Sequence, residues 1–275
     1  MIVPVLGAGC GNSETNANER SRSNMFFRGP GAYLKDLTTP KIAGDHLVTY
    51  FPGDLTGMLS PVEPVEIVTR GNPELKRVAI TIDDGWNADM RILRLLKSWK
   101  VQFTAFLIGG RGVADANPEF VRAIQETGGE VCNHTYTHFV MKGKDEATVV
   151  SNIWQAQNVI THITHEIYPY VRFSGGAYDA ASLTWAARQG FWVVNWTASS
   201  GDTSPALSID AKVNNILGNV VPGAILLFHF GGYGTYEVLS RVIPEIQKRG
   251  YQVTSLSRVL EGTPFRLKKK PGVRS

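Results

Sequence analysis

Two cysteines, Cys10 and Cys132, are all that 275 residues contain, too few for a disulfide framework to hold the fold together. No run of about 18 apolar residues occurs either, so the sequence offers no membrane-spanning helix. Charge is also scarce: 19% of residues are charged, and the formal net charge is only +4. Most of that excess sits in the closing segment "TPFRLKKKPGVRS", which carries Arg266, Lys268, Lys269, Lys270 and Arg274 and no acid. Setting those five aside leaves 23 basic against 24 acidic residues. A nucleic-acid groove needs basic charge spread over a folded face, so nucleic acid is not an expected partner. With 43% hydrophobic residues, the chain can bury one large core of roughly 200 to 250 residues.

The organisation expected along the chain has four parts. Residues 1–30 read as a leader and flexible tether, 31–75 as an N-terminal extension or cap, 76–262 as the catalytic domain and 263–275 as a basic tail. The opening "MIVPVLGAGCGNSETNANERSRSN" is similar to the end of a bacterial lipoprotein signal, which implies acylation of Cys10 and export, with the polar stretch as tether. The match lacks a basic n-region, and Leu6 lies one position further from the cysteine than the usual pattern wants. Contact with a membrane is expected only through such an anchor, and the protein is expected to be a monomer of the cell envelope or the extracellular space.

From residue 76 the pattern becomes regular. "KRVAITIDD" is a continuous β-rich run of the kind buried on both faces. "ADMRILRLLKSWK" places Ile92, Leu95, Leu96 and Trp99 on one helical face. "VQFTAFLIG" is a second strand; "NPEFVRAIQETGG" has Asn117 as cap and Pro118 at the first helical position. "EVCN" follows as a third strand, then the helix "DEATVVSNIWQAQNVITHI". Strands "YVRFS", "FWVVNW", "GAILLFHF" and "YQVTSL" alternate with further helices. About seven βα units argue for an α/β fold, a distorted parallel (β/α) barrel or a doubly wound sheet. In either, ligands meet side chains at the carboxyl ends of the strands.

Polar residues collect at those ends. "TIDDG" closes the first strand with Asp83 and Asp84, "NHTYTH" follows the third with His134 and His138, and "RFSGG" brings Arg172. Asp202 lies in "NWTASSGD", and "LLFH" ends with His229. On a straight strand His134 and His138 would stand roughly 13 Å apart, too far for one ion. A helical turn starting at His134 would bring their Cβ atoms to about 6 Å, so a metal site predicts a strand ending near Asn133 and turning helical. One carboxylate and two imidazoles form an open metal site. The neighbouring carboxylate then has a task, because bound zinc lowers the pKa of water from about 15.7 to about 7, within reach of an aspartate. Gly85 lets the chain leave strand geometry so that both aspartates can face the rim. Cys132 reads as a small buried apolar residue, "HITH" (His162 to His165) as a helix C-terminal face, and His46 has no context.

In order along the chain, these motifs resemble the polysaccharide deacetylase (NodB homology) family of carbohydrate esterases, over roughly residues 76–255. The resemblance implies Asp83 as general base, Asp84, His134 and His138 as metal ligands, and His229 as the general acid. It also implies Leu227 lining the acetyl pocket, Arg172 orienting Asp83, Asp202 polarising His229 and the Gly175 N–H binding the oxyanion. The implied cofactor is a divalent metal, zinc first, with cobalt, nickel or manganese as alternatives, and the implied substrate is an acetylated polysaccharide. Two motifs depart from the family pattern. Arg172 is followed by Phe173, Ser174, Gly175 and Gly176 in place of prolines and an aromatic residue, and Thr203 stands where a tryptophan usually follows Asp202. The sugar-binding wall is therefore open to other candidates, namely Trp86, Tyr178 and Trp196. Two alternatives to a polysaccharide deacetylase stand beside it: an amide or ester hydrolase of a small molecule on the same scaffold, and a non-catalytic glycan-binding protein.

Overall fold

The computed structural model describes residues 66–263. The leader with Cys10, most of the 31–75 extension, His46 and all but the first residue of the basic tail lie outside these residues.

Among the described residues eight strands appear in chain order: β1 (Arg77–Asp84), β2 (Phe103–Leu107), β3 (Gly129–Asn133), β4 (Tyr170–Val171), β5 (Trp192–Val193), β6 (Ala198–Ser199), β7 (Ile225–Phe230) and β8 (Gln252–Thr254). Seven of them run in the order β5-β4-β3-β2-β1-β7-β6, and β8 pairs with the start of β1. Every strand pairing is parallel, which gives the curled half-barrel of an α/β fold. The fifth strand expected from sequence, "FWVVNW", is broken. It supplies only Trp192–Val193, and β6 lies beyond it. Val68 bridges to Val194 and Arg70 to Ala224, so the segment before β1 pairs with the residue after β5 and with the residue before β7.

Helices return the chain between strands: α1 (Met90–Ser98), α2 (Pro118–Glu126), α3 (Glu146–Thr164), α4 (Ala180–Arg188), α5 (Ile209–Leu217), α6 (Thr235–Lys248) and α7 (Leu256–Leu260). Local sequence explains their starts. The side chains of Asp89, Asn117, Asp145, Asp179 and Ser208 each accept a bond from a backbone N–H of the first turn, satisfying donors that a helix leaves open. Leu239, Val242, Ile243 and Ile246 of α6 are fully buried, as their spacing predicts. Among the described residues no helix is long and apolar enough to cross a membrane.

Strand alternation sends side chains to opposite faces of the sheet. Ile80, Ile82, Ala105, Leu107, Leu226 and Phe228 face outward into the layer beneath the helices. Phe106, Cys132, Tyr170 and Ile225 face inward, into a smaller cluster with Val68, Val194 and Leu256. That inner layer is capped by polar groups. Glu130 is bonded by Thr104 and Ser255 at one end; Thr81 and Asp83 share the inner face on β1, two residues apart.

Candidate metal centre and active site

The end of β1 is where the chain first departs from regular geometry. Asp84 takes a left-handed backbone, φ +75°, followed by Gly85 at φ +98°. A non-glycine residue rarely adopts that conformation, and here it turns Asp84 onto the same rim as Asp83 in place of the opposite face. Asp84 Oδ1 lies 3.2 Å from His134 Nε2 and 3.1 Å from His138 Nε2. Burial opposes its charge, but the two imidazoles outweigh burial and hold the carboxyl well below its ordinary range.

The histidines converge without the helical turn that their spacing predicts. β3 ends at Asn133 as expected, yet residues 134–138 form an irregular loop. Two left-handed residues, Thr135 at φ +64° and His138 at φ +58°, fold the loop back. Side chains replace the helix ladder: Asn133 Oδ1 accepts from Thr135 N, and Asn152 Oδ1, reaching from α3, accepts from Thr137 N. The two rings end 5.0 Å apart between centres. His134 Nδ1 sits 2.8 Å from the Arg172 carbonyl, an oxygen that can only accept. Nδ1 therefore carries a proton, and Nε2 is the ring nitrogen directed at Asp84 and available to an ion. Among the described residues, Asp84, His134 and His138 are the group able to hold a metal ion, their ligand atoms all within 4.8 Å of one another. Two imidazole nitrogens and one carboxylate suit such an ion. Buried Cys132 is not in the group.

Behind the triad lies a buried ion pair. Arg172, just past β4, is wholly inaccessible. Its Nη1 donates to Asp83 Oδ1 at 2.6 Å and to Thr81 Oγ1 at 2.9 Å, Nε donates to the Val194 carbonyl, and Nη2 to the Asn195 carbonyl. The guanidinium also packs 4.1 Å from the centre of the Phe106 ring. Burial lowers the Arg172 pKa and Asp83 pulls it back up. With four acceptors in a fixed fork the cation is well satisfied, which a buried pair requires. The free oxygen of Asp83, Oδ2, is 3.8 Å from His134 Nε2.

On the other side of Asp83 stands His229, its register partner on β7. His229 Nδ1 contacts Asp202 Oδ1 at 2.8 Å; Asp202 Oδ2 accepts from His229 N at 2.9 Å and from Thr235 Oγ1 at 2.7 Å. Burial lowers the His229 pKa, but Asp202, Asp83 and Asp84 overcome it and leave the imidazole above its usual value. Burial likewise opposes the Asp202 charge, while His229 and Thr235 bring its pKa below normal.

The remaining candidates are more loosely associated. Leu227 is buried two residues before His229 on the same strand face. Gly175 is the exposed residue of a 3₁₀ turn, Ser174–Gly176, at φ +64°, where an added Cβ would meet nothing. Trp196 packs against Gly176 and 5.8 Å from the Arg172 guanidinium, so it belongs partly to the core. Trp86 and Tyr178 are exposed. Sequence reasoning missed Thr81, Thr235 and Asn152. Thr81 had a signal, its position two before Asp83 on the same strand face. Thr235 and Asn152 had none, since both act across long chain separations.

Comparison with known proteins follows the same geometry. A family model described as polysaccharide deacetylase matches residues 70–194. A peptidoglycan-N-acetylglucosamine deacetylase of Bacillus cereus is 27% identical over 250 residues, 86% of this chain and 88% of that protein. A chitooligosaccharide deacetylase of Sinorhizobium fredii is 29% identical over 214 residues, 72% of this chain and 98% of its own. Among solved structures, a CE4-family pseudoenzyme of Bacillus anthracis superposes with a TM-score of 0.67 at 27% identity, covering 74% of this chain and 70% of its own. A mutant of that pseudoenzyme with restored enzymatic activity gives 0.68 at 28%, covering 74% and 72%. With its motifs gathered on one rim of a curled parallel sheet, the chain is similar to the polysaccharide deacetylases in both sequence and fold.

Proposed function

We propose that the protein is a metal-dependent hydrolase of carbon–nitrogen amide bonds that removes N-acetyl groups, and O-acetyl groups by the same chemistry, from cell-wall or other polysaccharides. The observation that carries this reading is two proton-handling groups, Asp83 and His229, side by side in the sheet next to the Asp84, His134 and His138 triad. The names of the relatives in Bacillus cereus and Sinorhizobium fredii support the substrate class. Zinc is the preferred ion for two nitrogens and one carboxylate, with cobalt, nickel or manganese as substitutes. When held by the triad, such an ion supplies Lewis acidity to the acetyl carbonyl and makes water acidic enough for a carboxylate to deprotonate.

The chain's own groups do the rest. Asp83, held through Oδ1 by Arg172, takes the proton of the attacking water through its free oxygen Oδ2. As the new carbon–oxygen bond forms, the Gly175 N–H donates to the oxyanion and Leu227 lines the pocket for the methyl group. The carbon–nitrogen bond then breaks, and protonated His229 gives its proton to the departing nitrogen. Acetate and the free amine leave. Asp202 favours the protonated imidazole and fixes its orientation. Trp86, Tyr178 and Trp196 are the candidates for sugar contact. Export to the envelope or beyond, with a lipid anchor at Cys10, fits a polymeric wall substrate, and the protein acts as a monomer.

Acetate release from peptidoglycan strands, chitooligosaccharides, acetylated xylan and small N-acetyl amides is the test. Asp83→Asn is expected to abolish turnover while retaining metal, and His138→Ala to lose both. Full activity in Asp83→Asn would overturn the mechanism. The match to a pseudoenzyme gives weight to one rival: bound metal without acetate release from any substrate would identify a glycan-binding protein.

A further inference from the structure

The rim beside His138 carries a cation that the proposed chemistry leaves unused. Arg111 follows β2 in "GGRG" and takes a left-handed backbone, φ +61°. Its guanidinium lies over two exposed rings, 5.5 Å from the centre of Trp86 and 5.7 Å from that of Phe139. Trp86 in turn meets the His138 ring edge to face at 6.0 Å. A single aromatic ring thus separates Arg111 from the triad. Trp86 is 48% and Phe139 57% exposed, large apolar surfaces to leave in water beside a catalytic rim.

Arg111 differs from most of its kind in this protein. Arg77, Arg91, Arg172, Arg241 and Arg249 each reach a carboxylate. Among the described residues Arg111 pairs with none, and its one hydrogen bond runs from Nη1 to the Thr137 carbonyl. A guanidinium held over aromatic rings keeps its edge donors available to other partners. Of five N–H donors only one is committed, and the rest form a fork that matches a carboxylate in two parallel bonds. Thr137 belongs to the loop that carries both histidines, so this bond also sets the fork's position relative to the triad.

We propose that Arg111, braced by Trp86 and Phe139, is a specificity-determining residue that selects acetylated sugars carrying a carboxylate. The two rings and the cation form the subsite beside the reacting sugar, with the rings taking its apolar face and the fork its acid group. The proposal rests on the deacetylase reading and narrows its substrate class. It also places an aromatic wall on the β1 and β3 side of the groove, opposite in sequence to the motif after Arg172 where aromatic residues are missing.

The test uses the metal-loaded protein and Arg111→Gln, with Arg111→Lys as a second variant that keeps charge without the fork. Three probes are compared: peptide-free glycan strands of alternating N-acetylglucosamine and N-acetylmuramic acid, the same strands with the lactyl carboxylates methyl-esterified, and chitopentaose. The parent is expected to prefer the free acid over the ester by about tenfold in kcat/KM, the effect of about 1.4 kcal/mol. Arg111→Gln should lose that preference, falling about tenfold on the acid and less than threefold on the other two, with unchanged metal content. Arg111→Lys should fall between. Equal losses on all three probes, or none, would overturn the proposal. If no probe releases acetate, the deacetylase reading fails by itself, and calorimetric binding of the same probes decides here: a preference for the acid that needs Arg111 supports the subsite, and its absence refutes it. Preference for peptide-bearing over peptide-free strands would move the carboxylate to the peptide and overturn the assignment to the sugar.

Discussion

Replacing Asp202 by Asn changes one charge in a place where water cannot mask it. The Asp202 side chain is fully buried and that of His229 is 16% exposed, so solvent screening is weak. Three donors converge on this carboxylate, from His229 Nδ1, His229 N and Thr235 Oγ1. In Asp202→Asn the amide oxygen can serve the two donors on the Oδ2 side, which turns the NH₂ toward His229 Nδ1 and favours a neutral ring with its proton on Nε2. A hydrogen bond to a charged group is worth about 1.5–3 kcal/mol. At 1.36 kcal/mol per unit, the His229 pKa should therefore fall by about one to two units. The imidazole must be protonated to act as the acid, so activity declines as pH rises through its pKa, and a raised pKa extends the active range upward. In the variant the alkaline limb of kcat/KM should move toward acid by about one to two units. Losses at pH 8 should be about ten- to a hundredfold and should shrink at pH 5. Both proteins carry the same ion, so the ion's own effect on His229 cancels in the comparison. Acetate release between pH 5 and 9.5, with metal content measured alongside, is the assay. An alkaline limb that stays in place, or a loss equal at every pH, would refute the assignment of His229 and Asp202 as a coupled acid.

Two further outcomes concern stability. Arg172→Met strands Asp83 in a site only 2% exposed and should cost about 3–5 kcal/mol, roughly 6–20 °C in Tm for a domain of this size; calorimetry of the metal-free protein matching the parent would contradict the account of the buried pair. Glu130 has its pKa raised by burial, against the bonds from Ser255, Thr104 and Ser257. Because the folded value lies above the unfolded one, its contribution to stability is present below the unfolded pKa of about 4.3 and is lost as pH rises through the folded pKa. The Tm of Glu130→Gln minus that of the parent should accordingly grow from pH 5 to pH 8, and a flat or falling difference would show that burial of the charge is not the cause.

Much of the fold was legible because periodicity reports burial directly. The run "KRVAITIDD" lies in a strand buried on both faces, and Leu239, Val242, Ile243 and Ile246 line one side of α6, since each pattern depends only on which residues must leave water. The polar residues at strand ends were legible for a related reason: a parallel sheet aligns its carboxyl ends, so residues far apart in sequence share one rim. The break inside "FWVVNW" was not legible, because it depends on how the curled sheet meets Val68 and Arg70. Nor was the route by which His134 and His138 converge. Spacing alone allowed a helical turn, but the left-handed backbones of Thr135 and His138 are held by Asn133 and Asn152, the latter from another element. A parallel α/β sheet and the residue types at its rim follow from local pattern. Packing across the fold sets Thr81 against Arg172, Thr235 against Asp202, and Arg111 over two aromatic rings beside His138. Those contacts join segments with no local pattern in common, and only the packed fold sets the distances between them.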